Sequence, residues 1–245
     1  MNPPVLWRRL RRPVRELCRG FVDLLLPPVC ASCGAAADDL CPPCRSQLGW
    51  RPACGCTRCG EPVLAAGSAC GRDHRELQNL AQLVAPWRYA GTGGALVRRF
   101  KLDGNVAAGR LMVRAAADAW RASLRLGWGR AVLVPVPLHG RRRRLRGFDQ
   151  AAWLAENLAA RLRAPCVVGC LRRLQATLPQ GDPRVRSRSE NVAEAFAVRD
   201  ARSVVGRRVV LVDDVFTSGA TLRRCAVLLL AAGAKEVAGL TVCRS

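Results

Sequence analysis

The chain has 245 residues, 50% of them hydrophobic, with 40 Lys+Arg against 18 Asp+Glu and a formal charge of +22. The apolar half is ample for a buried core and excludes a disordered basic tail, which lacks the hydrophobic residues that offset ordering entropy. No run approaches the roughly 18 apolar residues of a bilayer-spanning helix, so the excess charge, most of it beyond residue 75, reflects either a polyanionic partner or a codon bias toward arginine, since only Lys101 and Lys235 are lysine.

Residues 1–25 read as a basic N-terminal segment. Its arginines at 8, 9, 11, 12, 15 and 19, and an apolar stretch (Phe21 to Leu26) broken by Asp23 and followed by Pro27-Pro28, do not make a secretory signal. The expectation is a reduced, cytoplasmic protein in which clustered cysteines bind metal and do not form disulfides.

Residues 26–75 form a cysteine-rich, zinc-ribbon-like module. Cys30-x2-Cys33 and Cys41-x2-Cys44 are tight turns that each aim two thiolates at one point. Together they supply the tetrahedral sulfur cage of a structural Zn2+, with no coordination position left open for reaction. A less regular group follows, Cys54, Cys56, Cys59 and Cys70. With Asp73 or His74 it completes a second site; otherwise it is a decayed repeat that binds nothing.

From residue 76 to 245 strands alternate with helices. A short mixed stretch, Ala85 to Tyr89, leads into the turn signal Gly91-Thr92-Gly93-Gly94. The spacing of Val106, Met112, Val113, Ala116, Trp120 and Leu124 predicts an amphipathic helix over 105–126. Residues 132–137 read as a buried strand entering a loop, 148–162 as a helix, 166–168 as a short strand and 208–212 as a strongly apolar strand. A helix over 221–232, closed by Gly233, and a strand over 237–242 complete the chain. The alternation predicts an α/β fold with a doubly wound parallel sheet, whose ligands sit at the carboxyl ends of the strands. Cys166, Cys170, Cys225 and Cys243 lie in apolar surroundings and read as inert core residues.

The sharpest signal is the strand Val209 to Val212 running into Asp213-Asp214, followed by Thr217-Ser218-Gly219-Ala220-Thr221 at the start of a helix. Backbone N–H groups of 217–221, with the hydroxyls and helix N-terminus, suit a monophosphate. Two adjacent carboxylates suit the two hydroxyls of a ribose. The chain has no GxxxxGK[ST] to cradle a triphosphate and no GxGxxG.

Segment 209–221 resembles the signature of type I phosphoribosyltransferases, which bind 5-phosphoribosyl-1-pyrophosphate (PRPP). The resemblance extends to the ComF family, in which a double zinc ribbon precedes such a domain. It is carried further by Leu26-Pro-Pro-Val-Cys30-Ala-Ser-Cys33-Gly34, by Val134-Pro-Val-Pro-Leu-His139 with Arg146-Gly-Phe-Asp-Gln150, and by Pro179-Gln180 with Arg188 and Asn191. The resemblance implies a type I phosphoribosyltransferase-like parallel sheet with flanking helices. It implies that Asp213 and Asp214 bind the ribose and are the catalytic pair, that Thr217, Ser218, Gly219, Ala220 and Thr221 bind the 5-phosphate, and that Pro137, Leu138 and His139 hold pyrophosphate. Arg146 to Gln150 continue that wall, and Gln180, Arg188 and Asn191 belong to a closing lid. Lys101 matches a lysine of the family pattern that reaches a phosphate, or is a solvated surface lysine. Structural Zn2+ and a Mg2+ bound with PRPP are the implied cofactors.

Four positions depart from the family pattern: Asp149 stands for Asn, Ser218 for Thr, Pro183 for a hydrophobic residue, and Asp73 for a further Cys. Ser218 keeps the hydroxyl. Asp149 is expected to weaken the pyrophosphate contact unless Arg146 or another arginine pairs with it. The resemblance also implies a link to DNA uptake, and three functions are open. One is an enzyme transferring phosphoribose to an acceptor in DNA uptake or nucleotide metabolism. Another is a non-catalytic protein that senses PRPP or binds single-stranded DNA. The last is a scaffold for a DNA-uptake helicase. The tract Arg141 to Arg146 fits a pyrophosphate contact, a nucleic-acid backbone or a solvated charge run.

Overall fold

The computed structural model describes residues 28–49, 56, 58–61, 63, 70–71, 73–123, 128–138, 148–174 and 196–245. Its centre is strand β6 (Arg208–Phe216), flanked in parallel by β7 (Glu236–Arg244) and β3 (Val132–Pro135). Strands β1 (Leu83–Val84) and β2 (Trp87–Arg88) pair successively with β7, as one edge interrupted at Ala85-Pro86. All of these pairings are parallel, and the path runs β1–β7–β6–β3.

Such a sheet must be covered on both faces, which is why its strands are continuous apolar runs. Helices α2 (Gly91–Asp103), α3 (Val106–Ala122) and α4 (Gln150–Leu162) cover one face, with Leu96, Phe100, Met112 and Leu154 packed on Val210 and Val212. Helix α5 (Ala220–Ala231) covers the other, with Leu222 and Leu229 in the cluster that holds Val209 and Leu211. The alternation of residues 209 to 212 between the two clusters sets the faces of the carboxylates that follow.

Short α1 (Pro42–Ser46) belongs to the cysteine module. An antiparallel pair, β4 (Leu171–Arg173) with β5 (Phe196–Val198), brackets residues 175–195. Among the described residues no helix is long and apolar enough to cross a membrane.

Three sequence expectations are corrected. Gly91 to Gly94 do not form a turn but the first turn of α2; the small residues are needed because a Cβ on Gly93 would come within 2.6 Å of the Arg88 carbonyl. The strand expected at 166–168 is a single bridge, Cys166 to Leu133. Strand β6 continues past Val212, because β7 is long enough to pair Val215 with Cys243 and Phe216 with Arg244. Asp213 and Asp214 therefore lie within the strand. The last residues of the helix expected over 105–126 lie outside the described residues.

Candidate functional site

The carboxyl ends of β3 and β6 open into a cavity of about 190 Å³, lined by Lys101, Val136, Pro137, Leu138, Gln150, Ala151, Arg173, Asp213, Asp214 and Thr221. Asp214 follows the parity of Val210 and Val212 toward the α2 face. Its Oδ1 meets Lys101 Nζ at 2.8 Å, with both side chains largely buried. Lys101 is thus a wall of the site and not a solvated lysine. Asp213, half-buried, turns its Oδ1 back to accept the Asp214 N–H at 2.8 Å. Burial pushes the Asp213 carboxyl up to about 7; the Asp214 charge adds to the rise, while Lys101 and the Asp214 N–H oppose it, and Asp149 adds a smaller upward push.

Beyond β6 the chain turns through Thr217 and Ser218, both exposed, to Gly219, which is buried with φ +70° at the N-cap of α5. Only glycine suits this position, since the conformation is left-handed and a Cβ would come within 2.5 Å of the Glu76 carbonyl. The free N–H groups at the start of α5 follow at once, a local positive pole suited to an anion.

Asp149 has a local structural role. Its Oδ1 accepts the Ala152 N–H at 3.1 Å as the N-cap of α4, a role Asn and Asp fill equally. The cap fixes the first turn of α4, which presents Gln150 and Ala151 to the cavity. Arg173, on β4, was not legible: in so arginine-rich a chain one of two adjacent arginines on a three-residue strand gives no signal. His139 and Arg146, with the tract Arg141 to Arg144, and Gln180, Arg188 and Asn191 lie outside the described residues, as does Cys54. The structure brings together Pro137, Leu138, Asp213, Asp214 and Thr221, and places Thr217 to Ala220 beside them.

Two clusters of side chains that could each hold a metal ion are present. Ligand atoms of Cys30, Cys33, Cys41 and Cys44 lie within 4.8 Å of one another, and so do those of Cys56, Cys59, Cys70 and His74. A tetrahedron with Zn–S near 2.3 Å has edges of about 3.8 Å. The Cys33–Cys41 and Cys59–Cys70 sulfur separations are each 3.6 Å, so both donor sets fit Zn2+. The knuckles close alike: Gly34 N–H donates to the Cys30 carbonyl at 2.9 Å, and Gly60 N–H to that of Cys56 at 2.7 Å. In both, burial raises the first cysteine, but neighbouring N–H groups outweigh it and hold Cys30 and Cys56 near 6. His74 completes the second set, its Nε2 lying 3.1 Å from Cys70 Sγ and 3.5 Å from Cys56 Sγ. Asp73 instead caps the following 3-10 turn (His74–Leu77), accepting the Arg75 N–H. The second group is therefore not a decayed repeat; a histidine one residue beyond the expected cysteine replaces it. Among the other cysteines Cys170, Cys225 and Cys243 are buried, and burial raises all three thiols.

The sequence matches the double zinc ribbon domain over residues 21–72 and the phosphoribosyl transferase domain over residues 149–245. It is 30% identical to competence protein F of Haemophilus influenzae, over 82% of this chain and 89% of that one. It is 32% identical to DNA utilization protein YhgH of Escherichia coli, over 78% of this chain and 84% of that one. Among solved structures, the allosteric regulatory enzyme of purine biosynthesis aligns at 25% identity and a TM-score of 0.37 over 56% of this chain and 26% of that one, an overlap too slight to argue from.

Proposed function

The chain belongs to the family of competence protein F, a double zinc ribbon ahead of a type I phosphoribosyltransferase-like parallel sheet, and on that premise we propose that its cavity binds PRPP with Mg2+ and transfers phosphoribose to an acceptor. The observation that carries the reading is the continuity of one segment: two carboxylates at the end of β6, then the N-terminus of α5. Ribose diol and 5-phosphate are read by consecutive residues.

In this reading Asp213 and Asp214 accept hydrogen bonds from the ribose hydroxyls and fix the ring. The N–H groups and hydroxyls of 217–221 hold the 5-phosphate. Lys101, at the opposite wall, supplies a cation to the leaving group; Pro137 and Leu138, which line the cavity, are assigned with His139 to the pyrophosphate. Mg2+, when bound, neutralises charge on the departing pyrophosphate. The C1–O bond breaks with its electron pair leaving on pyrophosphate, and the acceptor's lone pair forms the new bond to C1. The chain needs no nucleophile of its own; its residues orient the ring and stabilise charge. We place Arg146 in the pyrophosphate wall and Gln180, Arg188 and Asn191 in a lid that excludes water, with functional boundaries at 1–25, 26–75 and 76–245. The names of the relatives, a competence protein and a DNA utilization protein, support a role in handling incoming DNA. Single-stranded DNA is then a partner for Arg141 to Arg144, and a DNA-uptake helicase is a partner for the whole chain.

The test is calorimetric titration with Mg-PRPP, together with pyrophosphate release over a panel of acceptors. Asp213→Asn combined with Asp214→Asn is expected to abolish binding with the fold intact. Unchanged binding in that variant overturns the reading, and binding with no pyrophosphate release from any acceptor reduces it to PRPP sensing.

A further inference from the structure

The 3-10 turn that begins at His74 is a ledge beneath the phosphate loop. The Glu76 carbonyl lies so close to Gly219 that no Cβ fits between them. Arg223, in the first turn of α5, donates to the Arg75 carbonyl at 3.0 Å, and Leu77 is fully buried in the core cluster that holds Leu222. Arg244 closes the connection from the other side. Only 4% exposed, it donates to the carbonyl of the ligand Cys59 at 3.1 Å, pairs with Glu76, and lies 3.7 Å from Glu61. Its guanidinium also lies 5.3 Å from the ring centroid of Phe216, the residue before Thr217. One buried arginine therefore joins two segments that carry metal ligands to the strand end from which the phosphate loop departs.

We propose that the Cys56/Cys59/Cys70/His74 centre positions the 5-phosphate loop, with Arg244 as the positioning residue that couples metal occupancy to the order of residues 217–221. The ligand named here rests on the PRPP reading; the mechanical coupling does not. Outer-shell partners of a metal site act by fixing the geometry of what they touch, and their removal typically costs at least about tenfold in affinity. The first knuckle makes no such contact with the loop among the described residues. It meets the α2 and α3 side of the sheet, for example through Arg114 and Asp39 at 3.0 Å.

The experiment uses the full chain, with zinc content measured beside amide hydrogen exchange of residues 217–222 and calorimetric titration with Mg-PRPP. His74→Ala is expected to lose one zinc, to speed loop exchange at least about tenfold and to weaken Mg-PRPP binding by a similar factor; His74→Cys restores all three. Arg244→Ala is expected to keep both zinc ions and still loosen the loop, Arg244→Lys to do so partly, and Arg114→Ala to leave the loop unchanged. Loss of the second zinc without faster loop exchange overturns the proposal. If His74→Ala does not fold, Arg244→Lys decides: loop exchange unchanged in that variant also overturns it. Loop exchange that follows the metal in a protein that binds no Mg-PRPP sustains the coupling and sinks the functional reading. Mg-PRPP binding with loop exchange unmoved in every variant does the reverse.

Discussion

Binding of Mg-PRPP is expected to release a proton from Asp213 and to weaken as the pH falls. The carboxyl is raised from its ordinary 3.8 to about 7, by burial first and by Asp214 second. Ribose hydroxyls donate to the ionised carboxylate, so only the deprotonated form binds. The apparent Kd is then multiplied by one plus the ratio of protonated to ionised Asp213, about twofold at pH 7 and about elevenfold at pH 6. Calorimetry in buffers of different ionisation enthalpy should find about half a proton released at pH 7 and about nine-tenths at pH 6. The unliganded protein shows the complementary effect. Asp213 keeps its proton in the folded state over a range where the unfolded chain has lost it, so stability falls as pH rises from about 3.8 to about 7 and is level above. A rise of that size sets an upper limit on the order of 4 kcal/mol, reduced because the carboxyl is partly open to the cavity. Lys101→Met removes a cation that lowers the Asp213 value, and should move the binding midpoint up; Asp149→Asn removes a carboxylate that raises it, and should move the midpoint down. Protonation of the ligand's own phosphates cannot respond to either substitution. A Kd independent of pH between 6 and 8, or a midpoint that ignores Lys101→Met, would refute the reasoning.

Gly219→Ala should cost about 2–5 kcal/mol in urea denaturation, the sum of a left-handed alanine and an overpacked contact with Glu76 and Phe216; a cost below about 1 kcal/mol would mean that the loop does not press on the 3-10 turn. Cys33→Ser should lower the zinc content from two ions to one and depress the thermal midpoint, leaving Mg-PRPP affinity within about twofold, since among the described residues the first knuckle packs on the α2 and α3 side and makes no contact with residues 217–221. A loss of both zinc ions would show that the two knuckles fold as one unit.

The sheet was legible because each central strand is apolar on both faces, and the candidate site was proposed because carboxylates, hydroxyls and glycine follow one another along the chain. What failed to show had no local signature. Helix α2 was hidden by Gly91 to Gly94, small because of Arg88 and not because of a turn. The pairing of Lys101 with Asp214 brings the last turn of α2 to β6 across more than a hundred residues of chain, which no spacing encodes. His74 was one of two open choices, settled when the 3-10 turn took Asp73 as its cap.

The large positive charge also reads differently once the side chains are placed. Arg99 donates to the carbonyls of Ala31 and Ser32 in the first knuckle, at 3.5 and 3.1 Å. Arg223 and Arg244 donate to carbonyls of the second, and Arg121 and Arg207 hold carbonyls within the phosphoribosyltransferase-like part. A planar guanidinium with five donors can bridge carbonyls that a lysine would reach singly, so these five arginines tie segments of backbone together. The same helix that uses Arg99 for this purpose carries Lys101, one of only two lysines, into the cavity. There Lys101 pairs with Asp214 at 2.8 Å. Arg99 thus ties α2 to the first cysteine group, while Arg223 and Arg244 tie the start of α5 and the end of β7 to the segments that carry the second.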